Sequence, residues 1–278
     1  MSDGGSGDGG SGDGGSGDAG SGSGSQWRAD LLMALRFFSR LPTGRSPHEA
    51  PDLSRMAPAL PVASLVIGLG PAVLLLVFAA LDLSPLVVAG LALAASALVT
   101  GAMSEDALAD AADGLGGGTT PERRLEIMKD SRHGTYGVLA IVLVSLIRAA
   151  ALSALIAVSP FAAAGIWLAA GIVSRSTGLY LPLALDPARA TGAASAAGRP
   201  SRQAFGLGAG FAILLAVILA GPFTSFVAVV VALIVAGLVA RGWQEICRRL
   251  VGGQTGDLTG ALIGLIEVAT LLVFLAFF

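Results

Sequence analysis

Apolar stretches close to the length of a bilayer-crossing helix recur along this chain, and they leave it few folds to choose from. A spanning helix needs about 20 mostly apolar residues. About seven stretches qualify: 58–80, 85–103, 136–158, 161–182, 204–221, 223–240 and 259–277. Lipid offers no partner for a bare backbone amide, so such stretches are predicted to be helices. The expected fold class is all-α, a polytopic transmembrane helical bundle. Composition points the same way. Only 13% of the 278 residues are charged and the mean hydropathy is +0.78, whereas a soluble domain carries roughly 25% charged residues. Between the fifth and sixth stretches stands Gly221-Pro222, which suits a tight hairpin between two helices.

The basic residues set an orientation. Arg28, Arg36, Arg40, Arg45 and Arg55 precede the first stretch, and Arg123, Arg124, Lys129 and Arg132 lie between the second and third. Arg189, Arg199 and Arg202 follow the fourth; Arg241, Arg248 and Arg249 follow the sixth. The connections around Asp82, Pro160 and Pro222 hold no Arg or Lys. By the positive-inside rule the N-terminus and the long loops face the cytosol, in a cytoplasmic (inner) membrane protein whose C-terminus lies outside.

Residues 1–25 repeat Gly, Ser and Asp and carry four acids, leaving 15 acids against 17 bases in residues 26–278, the expected membrane domain. With almost nothing apolar to bury, the tail is expected to be disordered. Residues 26–40 read as a short amphipathic helix with Trp27, Leu31, Leu35 and Phe38 on one face. It either lies in the membrane interface or packs on the loops. Cys247 is the only cysteine and there are two histidines, His48 and His133. A disulfide framework and a thiolate metal site are thereby excluded. Any metal is expected to be a hard ion on carboxylates.

Such carboxylates stand in an acidic loop after the second stretch, Glu105-Asp106-Ala-Leu-Ala-Asp110-Ala-Ala-Asp113. If the helix continues past Met103, Asp106, Asp110 and Asp113 share one face. Three like charges repel unless a cation joins them, so Glu105, Asp106, Asp110 and Asp113 are candidate ligands for Mg²⁺. A solvated helix end is the alternative, although such ends normally mix acids with bases. Next come Gly116-Gly117-Gly118, whose amides could approach an anion, and Thr120-Pro121, which can start a helix. A plain turn would account for the glycines as well. In the helix that follows, Lys129 and Arg132 could hold a diphosphate, or merely form salt bridges with Glu126 and Asp130. Asp257, at the Gly-rich start of the last stretch, could complete a metal or hydroxyl site or act only as a cap. Arg148, Arg175 and Glu267 are ionisable residues inside apolar stretches, which makes them functional candidates or structural ion pairs.

Taken together these residues resemble the adenosylcobinamide-GDP ribazoletransferase, or cobalamin (5′-phosphate) synthase, family. The resemblance rests on Phe37-Phe38-Ser39-Arg40-Leu41-Pro42, on the run from Glu105 to Gly118, on Glu126 to Gly137, and on Gly253 to Asp257. Members often have a glycine where Ala107 stands and another residue at His133; neither position need be a ligand. The resemblance implies a membrane transferase using Mg²⁺, with adenosylcobinamide-GDP and α-ribazole (or its 5′-phosphate) as small-molecule partners beside the lipid bilayer. No nucleic-acid partner is expected. A ribose hydroxyl would attack the phosphorus nearest the corrinoid, and GMP would leave. Asp106, Asp110 and Asp113 would hold Mg²⁺, Lys129 and Arg132 would bind phosphate, and Asp130 or Asp257 would be the base.

Two other readings compete. A phospholipid synthase or prenyltransferase also uses spaced aspartates. The chain nevertheless lacks the second aspartate-rich run expected of either. A transporter would show two similar halves, and the acidic motif occurs once.

Overall fold

The computed structural model describes residues 19–44, 50–130, 132–189, 192 and 196–278, with residues 19–23 described by their backbone alone. The tail up to residue 18, Arg45 and His48 lie outside the described residues. All regular structure among the described residues is helical, apart from one isolated bridge between Pro187 and Gln254.

Helix α1 (Ala19–Phe38) starts inside the stretch assigned to the tail. It buries Met33, Ala34, Leu35 and Phe38 against α2 while Trp27 stays exposed, so its second half is a packed helix. Helix α2 (Leu53–Ala80) is capped by Asp52, whose carboxylate accepts from the amides of Ser54 and Arg55 at 2.7 and 3.3 Å. Three internal prolines are tolerated in it, as membrane helices allow. Helix α3 (Pro85–Thr100) ends at Gly101 and Ala102, both in the left-handed region at φ 69° and 55°. The chain bends there by 87° into α4 (Met103–Gly117). Short α5 (Pro121–Ile127) starts from Thr120, as its Thr-Pro sequence predicts. Helices α6 (Thr135–Val158) and α7 (Pro160–Gly178) are joined at Ser159, which caps α7. One turn, α8 (Tyr180–Ala184), leads towards α9 (Arg202–Ala220). A tight turn through Gly221 and Pro222 then connects to α10 (Phe226–Leu250), and α11 (Gly256–Ala276) closes the chain.

Helix α7 is the centre of the bundle. It packs on α2, α6, α9, α10 and α11, and almost every residue from Ala162 to Gly178 is buried. The outer helices turn apolar side chains outward instead: Val142, Leu146 and Ile147 on α6, Leu214 and Ile218 on α9, Ile234 and Leu238 on α10. An exposed apolar belt of this extent requires lipid. The chain is a multi-pass membrane protein.

Each of the seven expected stretches coincides with a helix over most of its length, and length and hydropathy by themselves account for five or six of the seven expected spans. Five helices are long and apolar enough to cross a membrane: α2, α6, α9, α10 and α11. The bent pair α3–α4 raises the number to six. Helix α3 has only 16 residues, about 24 Å of rise, and α7 carries Arg175 among serines and glycines. Enclosed by other helices, α7 has no need of a lipid-facing surface. Helix α10 runs ten residues beyond the expected end at residue 240, because its polar last turns carry Glu245, Arg248 and Arg249 in i,i+3 and i,i+4 ion pairs.

Candidate active site

The acidic run does not continue the second stretch as a straight helix. It forms α4, set nearly perpendicular to α3 and packed on α6 and α11. That packing is close, since a Cβ on Gly260 of α11 would lie 2.5 Å from Cβ of Ala107. The turn sends the four acids to three different places.

Asp106 and Asp110, one turn apart, come together with His133 from the loop before α6. Asp106 Oδ1 lies 3.8 Å from His133 Nε2, and Asp110 Oδ1 lies 3.7 Å from His133 Nδ1. One ligand atom from each of the three lies within 4.8 Å of the others. These separations are long for direct hydrogen bonds and suit a shared cation. The crowding of acids shows in Asp110, on a helix outside the five spans. Its carboxyl is pushed up to about 6 by burial, then by the charges of Asp106 and Asp257, against the opposing effect of His133. Sequence reasoning left His133 out of the ligand set. The signal it lacked was the fold of the α5–α6 connection, which carries the ring back over α4.

Asp113 was expected beside Asp106 and Asp110 as a ligand. Instead it is buried, and its two oxygens accept from the amides of Gly134 and Gly137 at 2.6 and 2.9 Å. These amides lie at the start of α6, where helix donors have no partner of their own. Glu105 leaves the group too: Oε1 pairs with Arg148 Nη1 at 2.7 Å. Arg148 Nη2 in turn meets Glu267 Oε1 at 2.7 Å, and Trp167 Nε1 donates to the same oxygen at 3.1 Å. The intramembrane charges of α6 and α11 are therefore an ion pair that ties α4 into the bundle.

Gly116 and Gly117 fall in the last turn of α4, and the amide of Gly118 donates to Gly114. Amides there are spent on the helix, so the expected anion cradle is not formed. Gly116 packs instead under the ring of Tyr136, where a Cβ would come within 2.9 Å. Arg132 pairs with Asp130 at 2.7 Å in an open polar cavity of about 500 Å³, also lined by Arg123, Glu126 and Gly117. The adjacent guanidinium holds the Asp130 carboxyl down at about 2, which makes it a weak base. Lys129 is exposed and does not line that cavity.

A second cavity, of about 310 Å³, is bounded by the first turns of α4 and α11. Ser104 and Asp106 enter it from one helix, Asp257 and Thr259 from the other, and Arg175 from the central α7. The N-cap of α4, Ala102, makes no side-chain bond to the helix start, while Thr255 caps α11. Asp257 is held by Thr255 Oγ1 at 3.4 Å and by Arg189 Nη1 at 3.7 Å. Arg189 also donates to the carbonyl of Leu125, which links α5 to this corner. Asp106 belongs both to this cavity and to the Asp106–Asp110–His133 group.

Fold and site together define a class: a multi-pass helical membrane protein with a carboxylate-lined cavity between two helix starts. A family model described as cobalamin-5-phosphate synthase matches residues 30–275. The chain belongs to that family. It is 45% identical over 248 residues to the adenosylcobinamide-GDP ribazoletransferase of Azorhizobium caulinodans, covering 88% of this chain and 94% of that protein. To the protein of the same name from Xanthobacter autotrophicus it is 46% identical over 241 residues, covering 84% and 90%. No solved structure matches the chain.

Proposed function

We propose that this chain joins adenosylcobinamide-GDP to α-ribazole or its 5′-phosphate, the nucleotide-loop assembly step of cobalamin biosynthesis. A ribose hydroxyl oxygen forms a bond to the phosphorus nearest the corrinoid. The bond from that phosphorus to the GMP oxygen breaks, GMP leaves with the electron pair, and the hydroxyl proton passes to a base. One observation carries the reading. In a chain of this family, Asp106 and Asp257 converge on one cavity from two helix starts, and Arg175 lines the same cavity. Phosphoryl transfer asks the protein mainly for positioning and charge neutralisation, which this arrangement supplies.

Asp106 and Asp110 would hold a hard divalent cation, which would neutralise phosphate charge when bound. Two carboxylates fit Mg²⁺; the His133 imidazole is a ligand that Mn²⁺ accepts more readily. Asp257 is the better placed base, because it shares the cavity with Asp106, whereas Asp130 lies in the other cavity and is paired with Arg132. The basic-residue pattern supports a site open to the cytosol in the inner membrane, where a substrate made from a guanine nucleotide would be met.

The test uses the full chain in lipid nanodiscs with guanine-labelled adenosylcobinamide-GDP and either acceptor. GMP release that needs both an acceptor and Mg²⁺ or Mn²⁺ is expected. Asp257→Asn should reduce turnover by about 100-fold or more, while Asp130→Asn should stay within about threefold of wild type. Acceptor-independent release, or equal losses in the two variants, would contradict the assignment.

A further inference from the structure

Residues 186–189 follow α8 and run beside the loop that opens α11. The amide of Ala188 donates to the carbonyl of Gln254 at 2.8 Å, and the amide of Gln254 donates to the carbonyl of Asp186 at 2.9 Å. Gly253 permits this approach, because a Cβ there would lie 2.6 Å from the Asp186 carbonyl oxygen. The pairing delivers Arg189 to the first turn of α11. Its Nη2 donates to the carbonyl of Leu125 on α5 at 2.7 Å, and its Nη1 lies 3.7 Å from Oδ2 of Asp257. Among the described residues Asp257 is the one carboxylate within 4 Å of this guanidinium. The arginine side chain is only 18% exposed, so solvent screens its charge weakly. Asp257 lines the 310 Å³ cavity and Arg189 does not.

The two oxygens of Asp257 have different surroundings. Oδ2 meets both Arg189 and the hydroxyl of Thr255, whereas Oδ1 has no partner among the described residues. Thr255 Oγ1 accepts from the amide of Leu258 and so caps α11. Asp257 is thereby free of the capping role open to an acid at a helix start. A base that accepts a proton at one atom is most effective when a third group orients it from elsewhere. We infer that Arg189 is a positioning residue for the transfer. From outside the cavity it holds Asp257 through Oδ2 and leaves Oδ1 for the proton of the attacking hydroxyl. The inference rests on the reaction proposed above. The hydroxyl oxygen bonds to phosphorus, its proton goes to Oδ1, and GMP leaves with the electron pair. The bond to Leu125 keeps the guanidinium from turning away. It also ties the base to α5, the helix before the loop that carries His133.

The experiment measures kcat and both KM values for GMP release by the full chain in nanodiscs at saturating Mg²⁺. It compares wild type, Arg189→Gln, Arg189→Lys, Asp257→Asn, and each Arg189 variant combined with Asp257→Asn. Arg189→Gln should lower kcat by about tenfold or more, part of what a general base contributes, with both KM values within about twofold of wild type. Arg189→Lys keeps the charge without the planar fork and should recover part of the loss. In the Asp257→Asn background either Arg189 variant should lower kcat by no more than about twofold further, because no base is left to position. The same proportional loss in both backgrounds would overturn the inference, as the sign of a purely structural arginine. So would a rise in either KM at unchanged kcat, the sign that Arg189 holds substrate itself. Should Arg189→Gln not fold, Arg189→Lys makes the same comparison alone, with a kcat loss of about threefold expected beside Asp257 and none in the Asp257→Asn background. A kcat unchanged by Asp257→Asn alone would overturn the base proposed above, and absence of GMP release by wild type would overturn the reaction; either removes the inference with it.

Discussion

Arg148 shows how single residues are used in this molecule. It stands on α6 and reaches Glu105 on α4 and Glu267 on α11, each at 2.7 Å. It is almost wholly buried, so its substitution leaves two carboxylates without a partner in low dielectric. Arg148→Met is expected to lower stability by about 3–5 kcal/mol, read as a loss of thermal stability in detergent. Combining it with Glu105→Gln and Glu267→Gln should recover much of the loss, since removing all the charges also removes the desolvation cost. A triple variant no more stable than Arg148→Met would show that shape, and not charge pairing, sets the cost. Asp113 belongs to the same structural set. Its carboxylate fixes the start of α6 over α4 through two backbone amides, which brings His133 within reach of Asp106 and Asp110.

Among the elements, the α3–α4 corner decides where the site lies. Gly101 and Ala102 are both left-handed, and the arginine side chain of Arg40 fills the space where a Cβ on Gly101 would stand. Ala102 is the strained member, since an L side chain at positive φ costs about 1–2 kcal/mol. Ala102→Gly is expected to raise stability by about 1 kcal/mol with GMP release intact. Ala102→Val should lower both, because a β-branched residue tolerates this region least. Equal stability of the two variants would contradict the corner's geometry. This corner also marks the limit of what was legible beforehand. Apolar length located the long helices α2, α3, α6, α7, α9, α10 and α11, and Asp106, Asp110 and Asp257 stood out as acids beside apolar stretches. The bend could not be read, because nothing in Thr100-Gly101-Ala102-Met103 forbids a continuous helix. Without the bend, Asp113 and Glu105 look like ligands and His133 does not. Helix α7 reads as a span on length, and its enclosure by the other helices shows only in the packing.

For the whole molecule, sidedness and the cation site are open to direct test. With Cys247 replaced by Ser, Thr119→Cys is expected to react with an impermeant thiol reagent only from the cytosolic face, and Ser84→Cys only from the opposite face. Labelling of both from one face would contradict the path of the chain through α3 and α4. The account as a whole depends on a cation held by Asp106 and Asp110, while Asp113 serves only as an anchor. The deciding measurement is the Mn²⁺ and Mg²⁺ concentration giving half-maximal GMP release, in wild type and in Asp106→Asn, Asp110→Asn and Asp113→Asn. The predicted result is no release with chelator, an increase of about tenfold or more in the required cation for the Asp106 and Asp110 variants, since an amide is a poor ligand for a hard ion, and an unchanged requirement for Asp113→Asn despite its lower stability. Release that persists in chelator, or a cation requirement that shifts with Asp113 and not with Asp106 and Asp110, would contradict it.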